Sequence, residues 1–331
     1  MLSDTAVGHR PGRSCPPDYY YGAASFARDA ELCATTLYVV GGLYGNRPAL
    51  DAIELMAGAE RATVVFNGDF HWFDRNVAVF SEVDRRVRRH HVLRGNVETE
   101  LSHDRHLDVG CGCAYPPEVG QATVDRSNSI LRELRRTAQQ CVRESVLAAS
   151  PMTMVVNVGG LRVGVVHGDC ETLAGWRFSA DVLEDPDQRR WLDRVRAQSR
   201  IDVFASSHTC LPVTRTFALP SGPLIIANNG SAGMPNFTSA TYGIVTRIGT
   251  RPRRGRVLHC VELDGVYIEA VALDFDFVHW HEEFLSQWPP GSAAWLSYWK
   301  RIVEGPDYSR KQAYPSREWD CVQPALLPAS R

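Results

Sequence analysis

Residues 37–40 (LYVV) form an unbroken apolar run, and the glycine-rich turn GGLYGN (41–46) follows at once. Beyond it Pro48 stands where a first helical turn tolerates proline, and Leu50, Ile53, Met56 and Ala57 recur at helical spacing. A buried strand, a tight turn and a helix start are therefore expected. The pattern repeats. Residues 62–66 (ATVVF) predict a second strand ending in NGD, 75–89 a helix, and 91–93 a short third strand ending in RGN. This β-α-β-α-β order implies a parallel sheet, whose functional groups collect where the strands end.

The rhythm changes at 99–150. A loop containing CGCAYPPEVG leads into a helical pattern over 127–148, marked by Ile130, Leu131, Leu134, Cys141 and Val146. We expect a helical insertion over the strand ends. Hairpins follow: 152–158 and 161–167 around Gly159-Gly160, then 257–262 and 266–271 around Asp264-Gly265. Single strands are expected at 203–206 and 224–227. Residues 1–34 read as an irregular lead-in, 35–274 as one mixed α/β domain, and the aromatic-rich 275–331 as a segment packed on it. The alternative for that last segment is a partner surface.

Composition narrows the function classes. The 331 residues are 44% hydrophobic and 22% charged, with a net charge of −2. The near-neutral total argues against nucleic acid and membrane surfaces as partners, despite the basic runs RRVRRHHVLR (85–94) and RPRRGR (251–256). The arginines of the first run are expected on a solvated helix face. No stretch is apolar enough to span a bilayer and the N-terminus lacks a signal-peptide core, so a cytoplasmic location is expected, with the nine cysteines as thiols. Oligomeric state is left open.

Four strand ends carry candidate ligands in order: Asp69 (NGD), Asn96 (RGN), His167 (VHGD) and His208 (SSHTC). Each alone has a plain structural explanation. Together they form a mixed oxygen and nitrogen set suited to a divalent ion such as manganese, iron or zinc.

In this order and spacing the chain resembles the calcineurin-like metallophosphoesterases, nearest the small bacterial phosphodiesterase branch. Their blocks D-x-H-G-N, G-D, G-N-H-D/E, H-G-D, G-H-T-H and N-P-G-S correspond here to G-L-Y-G-N (42–46), G-D (68–69), G-N-V-E (95–98), H-G-D (167–169), S-H-T-C (207–210) and N-G-S (229–231). The resemblance covers about residues 35–250. It implies an α-β-β-α sandwich of two stacked mixed sheets flanked by helices, and a two-metal site. One metal would be held by Asp69, Asn96, His167 and His208. The other would need aspartate at Gly42, histidine at Tyr44 and histidine at Cys210, so only the bridging Asp69 is unchanged. Cys210 as a thiolate remains a candidate ligand. Val97 replaces the histidine that would protonate the leaving group.

Three readings follow. The first is a hydrolase of a phosphate mono- or diester using one metal or a rebuilt pair, with His71, Asp74, Cys113, Cys170 and Asp169 as replacement ligands. The second is a fold that binds a metal or phosphorylated ligand without turnover. The third is a partner scaffold. The hydrolase reading leads because four ligands of one metal position are complete. In it, Asp169 and Glu98 are the candidate carboxylates for proton movement or ligand orientation, and Asn46, Arg47, Tyr44 and Arg94 are candidate contacts to a small phosphorylated substrate.

Overall fold

The computed structural model describes residues 11–102 and 109–315. The strands in chain order are β1 (Leu32–Ala34), β2 (Thr36–Val40), β3 (Thr63–Asn67), β4 (His91–Leu93), β5 (Thr153–Val158), β6 (Leu161–Val166), β7 (Val203–Ser206), β8 (Pro212–Leu219), β9 (Gly222–Asn229), β10 (Gly243–Gly249), β11 (Val257–Leu263) and β12 (Val266–Leu273). The α-helices are α1 (Arg47–Glu60), α2 (Val77–Val87), α3 (Asn96–Leu101), α4 (Gln121–Cys141), α5 (Glu144–Ala148), α6 (Ala180–Glu184), α7 (Arg189–Ser199), α8 (Phe277–Gln287), α9 (Ala293–Glu304) and α10 (Arg310–Ala313).

The strands form two six-stranded mixed sheets. One runs β11-β12-β10-β2-β3-β4, with β2, β3 and β4 mutually parallel. The other runs β1-β5-β6-β7-β9-β8, with β6, β7 and β9 parallel. Alternation along β2 shows why they stack. Leu37 and Val39 face the inter-sheet core with Val163, Val165, Val203 and Ile225. Tyr38 and Val40 turn the opposite way, onto Leu50, Ile53 and Ala57 of α1. On the far side, Phe204 and Ile226 pack against Trp191, Leu192 and Val195 of α7. The result is the expected α/β sandwich of two mixed sheets flanked by helices.

The details depart from the sequence pattern in places. The helical stretch expected over 127–148 begins earlier, at Gln121, and breaks at Val142 into α4 and α5. Helix α4 packs on α2 and α9, burying Ile130, Leu131 and Leu134 with Phe73, Trp280, Phe284 and Trp288. Arg86 is not on a solvated face. It is buried and pairs with Asp51, Glu54 and Glu82, so part of the basic run is neutralised within the fold. Similarly, Arg253 pairs with Glu60, and Arg247 pairs with Glu60 and Glu269. None of the described helices is long and apolar enough to cross a membrane.

The two sheets are tied together where β3 and β6 end. Asn67 Nδ2 donates to the carbonyl of Val166 at 2.7 Å. The loop leaving β3 then carries a buried ionic group: His71 lies 2.5 Å from Asp74, 3.6 Å from Asp84, and stacked on Phe80. Burial alone would lower the imidazole pKa, but the charges of Asp74 and Asp84 outweigh it and raise it to about 9. A folded-state pKa above the unfolded value stabilises the fold fully below about pH 6.5 and loses that contribution as pH rises through 9. We predict that urea unfolding between pH 6.5 and 9.5 loses up to roughly 3 kcal/mol from this group. His71→Gln should flatten that part of the profile; an unchanged slope would show that His71 is not responsible.

Candidate metal centre

The four predicted ligands come together. Asp69 follows β3, Asn96 opens α3 after β4, His167 follows β6 and His208 follows β7. The Nε2 atom of His167 lies 3.0 Å from Asn96 Oδ1, 3.0 Å from His208 Nδ1 and 3.4 Å from Asp69 Oδ1. All four side chains are buried or nearly so.

The outward-facing nitrogens decide what the inner atoms are. His167 Nδ1 is 2.9 Å from the carbonyl of Asn67, and His208 Nε2 is 3.1 Å from the carbonyl of Cys113. A carbonyl only accepts, so each outer nitrogen carries the proton. In the neutral rings, His167 Nε2 and His208 Nδ1 are therefore both lone pairs. Asn96 is oriented in the same way: its Nδ2 donates to the carbonyl of Cys111 at 2.8 Å, which turns Oδ1 inward. Four acceptor atoms then face one another, with the Val97 N–H reaching Asp69 Oδ1 at 3.2 Å, and a cation or a shared proton must relieve the rest. Their chemistry fits a divalent cation such as manganese, iron or zinc, with carbonyls in the supporting positions that fix imidazole tautomers in metal sites.

Without a cation, the electrostatics place the relieving proton on His167. Burial, then the neighbouring His167, pushes His208 down to about 3, so it stays a neutral donor ring. Burial would raise Asp69, but the two histidines prevail and hold its carboxyl below the usual range. Burial would lower His167, but Asp69 raises it above the ordinary value. Asp69, His167 and His208 offer ligand atoms within 4.8 Å of one another.

Backbone geometry explains the position of Asp69. It sits at φ +52°, a left-handed conformation that aspartate tolerates better than most residues. The Glu98 carboxylate accepts from the N–H groups of Asp69, Phe70 and Gly95 at 2.8–3.0 Å, and from His71 at 3.3 Å. Glu98 is thus the clamp joining the β3 and β4 loops. Gly68 permits their close approach: a Cβ there would lie 2.5 Å from the backbone of Gly95 and 2.7 Å from His167 Nδ1.

The other predicted residues take different places. Burial, then the charge of Asp69, raises the Glu98 pKa, yet all its contacts described above are to backbone donors, which suits positioning more than proton transfer. Asp169 likewise caps its own loop, accepting from the N–H groups of Glu171, Thr172 and Arg177. Asn46 caps α1 through Ala49 N–H and donates to the Gly233 carbonyl. The three guanidinium nitrogens of Arg47 are spent on Glu283 and Glu82. Arg94 donates to the Ala148 carbonyl. His71 and Asp74 pair with each other, and Cys170 is buried in the core beside α7.

The remaining half of the turn is filled. Gly42 has φ +64°, and a Cβ there would lie 2.9–3.0 Å from the ring and hydroxyl of Tyr44. Tyr44 leans over the glycine, and its hydroxyl is 3.0 Å from Cys210 Sγ. Burial raises the pKa of both groups, and the Cys210 sulfur lies outside the cluster formed by Asp69, His167 and His208. Gly42 and Tyr44 therefore form one packing unit.

Beside the cluster lies a cavity of about 340 Å³. Trp176 meets His208 edge-on at 5.3 Å between centroids and donates to the Cys113 carbonyl at 3.0 Å. Tyr115, Trp72, Tyr298 and Arg301 complete its wall. Sequence reasoning missed Trp176, Tyr298 and Arg301. The spacing of Trp295, Tyr298, Trp299 and Ile302 marks one face of α9, but nothing local says that Arg301 borders this cavity.

A scan against family models and a search of curated proteins found no match. Solved structures do match. A hypothetical protein from Pyrococcus horikoshii superposes with a TM-score of 0.55 at 13% identity, over 84% of this chain and 100% of that one. A metallophosphoesterase from Sphaerobacter thermophilus gives a TM-score of 0.51 at 15% identity, over 82% and 100%. At such identities the likeness is one of fold: the chain has the metallophosphoesterase fold.

The packing of Gly42 generates a test. Gly42→Asp should destabilise by about 1–3 kcal/mol through overpacking and the left-handed backbone. In a Tyr44→Ala background the same change should cost about 1 kcal/mol less, because the obstructing ring is gone. Urea denaturation of the four proteins measures the coupling; strictly additive costs would show that Tyr44 does not hold the position.

Proposed function

We propose that the protein is a metal-dependent phosphoesterase that hydrolyses a phosphate mono- or diester with one divalent cation. The observation that carries this reading is the convergence of Asp69 Oδ1, Asn96 Oδ1 and His208 Nδ1 at 3.0–3.4 Å from His167 Nε2. They stand at the strand ends of a metallophosphoesterase fold. A cation held by these four would polarise a phosphate oxygen and lower the pKa of a water molecule.

The chain's own residues do the rest. The ionised Asp69 supplies the negative charge that fixes the cation. The carbonyls of Asn67 and Cys113 hold the imidazole rings in the ligating tautomer. Glu98 keeps the Asp69 loop in register through its backbone hydrogen bonds. Tyr44 and Cys210, bonded to each other, occupy the side where the resemblance would put another metal. That supports a single-cation site. Val97 lies against the site without any titratable atom, so it offers the leaving group no proton. Esters whose alcohol leaves readily as an anion should therefore be the better substrates.

The protein loaded with manganese should hydrolyse p-nitrophenyl phosphate or its bis ester. Asn96→Ala and His208→Ala should each lower kcat/KM by about 100-fold or more. Turnover that persists in both variants, or none on either ester with manganese, iron or zinc, would overturn the reading.

A further inference from the structure

The cavity beside the metal centre is unlike a general phosphate site. Its wall carries the rings of Trp72, Tyr115, Trp176 and Tyr298. They are arranged as two pairs: Trp72 edge-on to Tyr298 at 6.4 Å, and Tyr115 tilted on Trp176 at 6.1 Å. Trp176 also abuts His208, so the aromatic chamber opens directly onto a ligand of the proposed cation. Among the described residues lining it, Arg301 is the one arginine or lysine. Its Nη2 donates to the Cys210 carbonyl at 2.5 Å, and its buried Nε has no hydrogen-bond partner. A guanidinium is a fork of donors suited to phosphate oxygens. Here one arm is anchored at the metal-site loop, and the side chain lines the chamber beside it.

We propose that this chamber binds the aromatic alcohol portion of a phosphoester, with Arg301 contacting its phosphate. This deepens the phosphoesterase reading and rests on it for the location of the phosphate. Three independent features favour an aryl ester. Flat rings pack favourably on other rings, and four line this wall. The volume of about 340 Å³ holds a one- or two-ring group and is near the lower end for small-molecule sites. The absence of a titratable group at Val97 suits a phenol, which leaves as an anion far more readily than an aliphatic alcohol. Arg301 comes from α9, remote in sequence from every metal-site strand, and supplies positive charge beside the face that Tyr44 and Cys210 close.

The test uses binding of compounds that cannot be hydrolysed, so it stands apart from turnover. Isothermal titration calorimetry on the manganese-loaded 331-residue chain compares phenylphosphonate with methylphosphonate. The phenyl compound should bind at least about tenfold more tightly, the expected gain from burying one ring. Thr123→Trp, which fills the chamber from its rim, should abolish that advantage. Arg301→Gln should weaken both compounds by about tenfold or more, and Arg301→Lys should restore part of the loss because it keeps the charge. Thermal melting identifies any variant that fails to fold. Equal affinities for the two phosphonates in the parent protein would overturn the aromatic assignment. Unchanged affinities in a folded Arg301→Gln would overturn the role of Arg301. A parent that hydrolyses no ester yet shows the tenfold preference would refute the hydrolase reading while leaving the chamber's assignment standing.

Discussion

Everything at the strand ends depends on one electrostatic constraint. A carboxylate oxygen, an amide oxygen and one imidazole nitrogen lie 3.0–3.4 Å from a second imidazole nitrogen, and the outer atoms of the two rings and of the amide donate to carbonyls. His167 and His208 give their N–H groups to the carbonyls of Asn67 and Cys113, and Asn96 gives its amide N–H to Cys111. Lone pairs held this closely repel unless a positive charge stands among them. Buried acceptors are tolerated in a native fold only with such compensation. The fold's apparatus serves that arrangement: two sheets bring four strand ends together, Asn67 ties the sheets, and Glu98 clamps the loops that carry Asp69 and Asn96.

The other side of the turn is occupied differently. In a two-cation arrangement one would look for a carboxylate and imidazoles. Here a glycine in left-handed conformation lies under a tyrosine ring, and that tyrosine bonds to a thiol. These residues pack together instead of merely lacking ligands. Positive charge returns to this side through Arg301, reaching in from the C-terminal helices. The long insertion has a similar double use. Helix α4 buries its apolar face against α2 and α9, while the loop before it presents the carbonyls of Cys111 and Cys113 to Asn96 and His208.

Much of this was legible in the sequence because each ligand directly follows an apolar strand. Asp69, Asn96, His167 and His208 could be read from strand-end position, the parallel start and hairpin-rich remainder pointed to a mixed α/β domain, and the motif resemblance implied the sandwich. Strands β8 and β10 were harder: PVTRTFAL and GIVTRIG mix polar and apolar residues, and β10 pairs with β2, far along the chain. Side-chain direction was not legible. Glu98 and Asp169 look like acids available for catalysis, yet their oxygens are taken by backbone N–H groups that only the folded loops bring together. Arg47 follows the turn in sequence, but Glu82 and Glu283 hold it elsewhere. The aromatic chamber draws on residues 72, 115, 176 and 298, which have no common periodicity; only tertiary structure makes them neighbours.

X-ray absorption at the metal edge of the manganese- or zinc-loaded protein tests the central claim most directly. The account predicts one ion per chain, a first shell of oxygen and nitrogen containing two imidazole rings, no sulfur neighbour and no metal–metal distance. A sulfur shell from Cys210, a second ion at short range, or a spectrum unchanged by replacing His208 would contradict it.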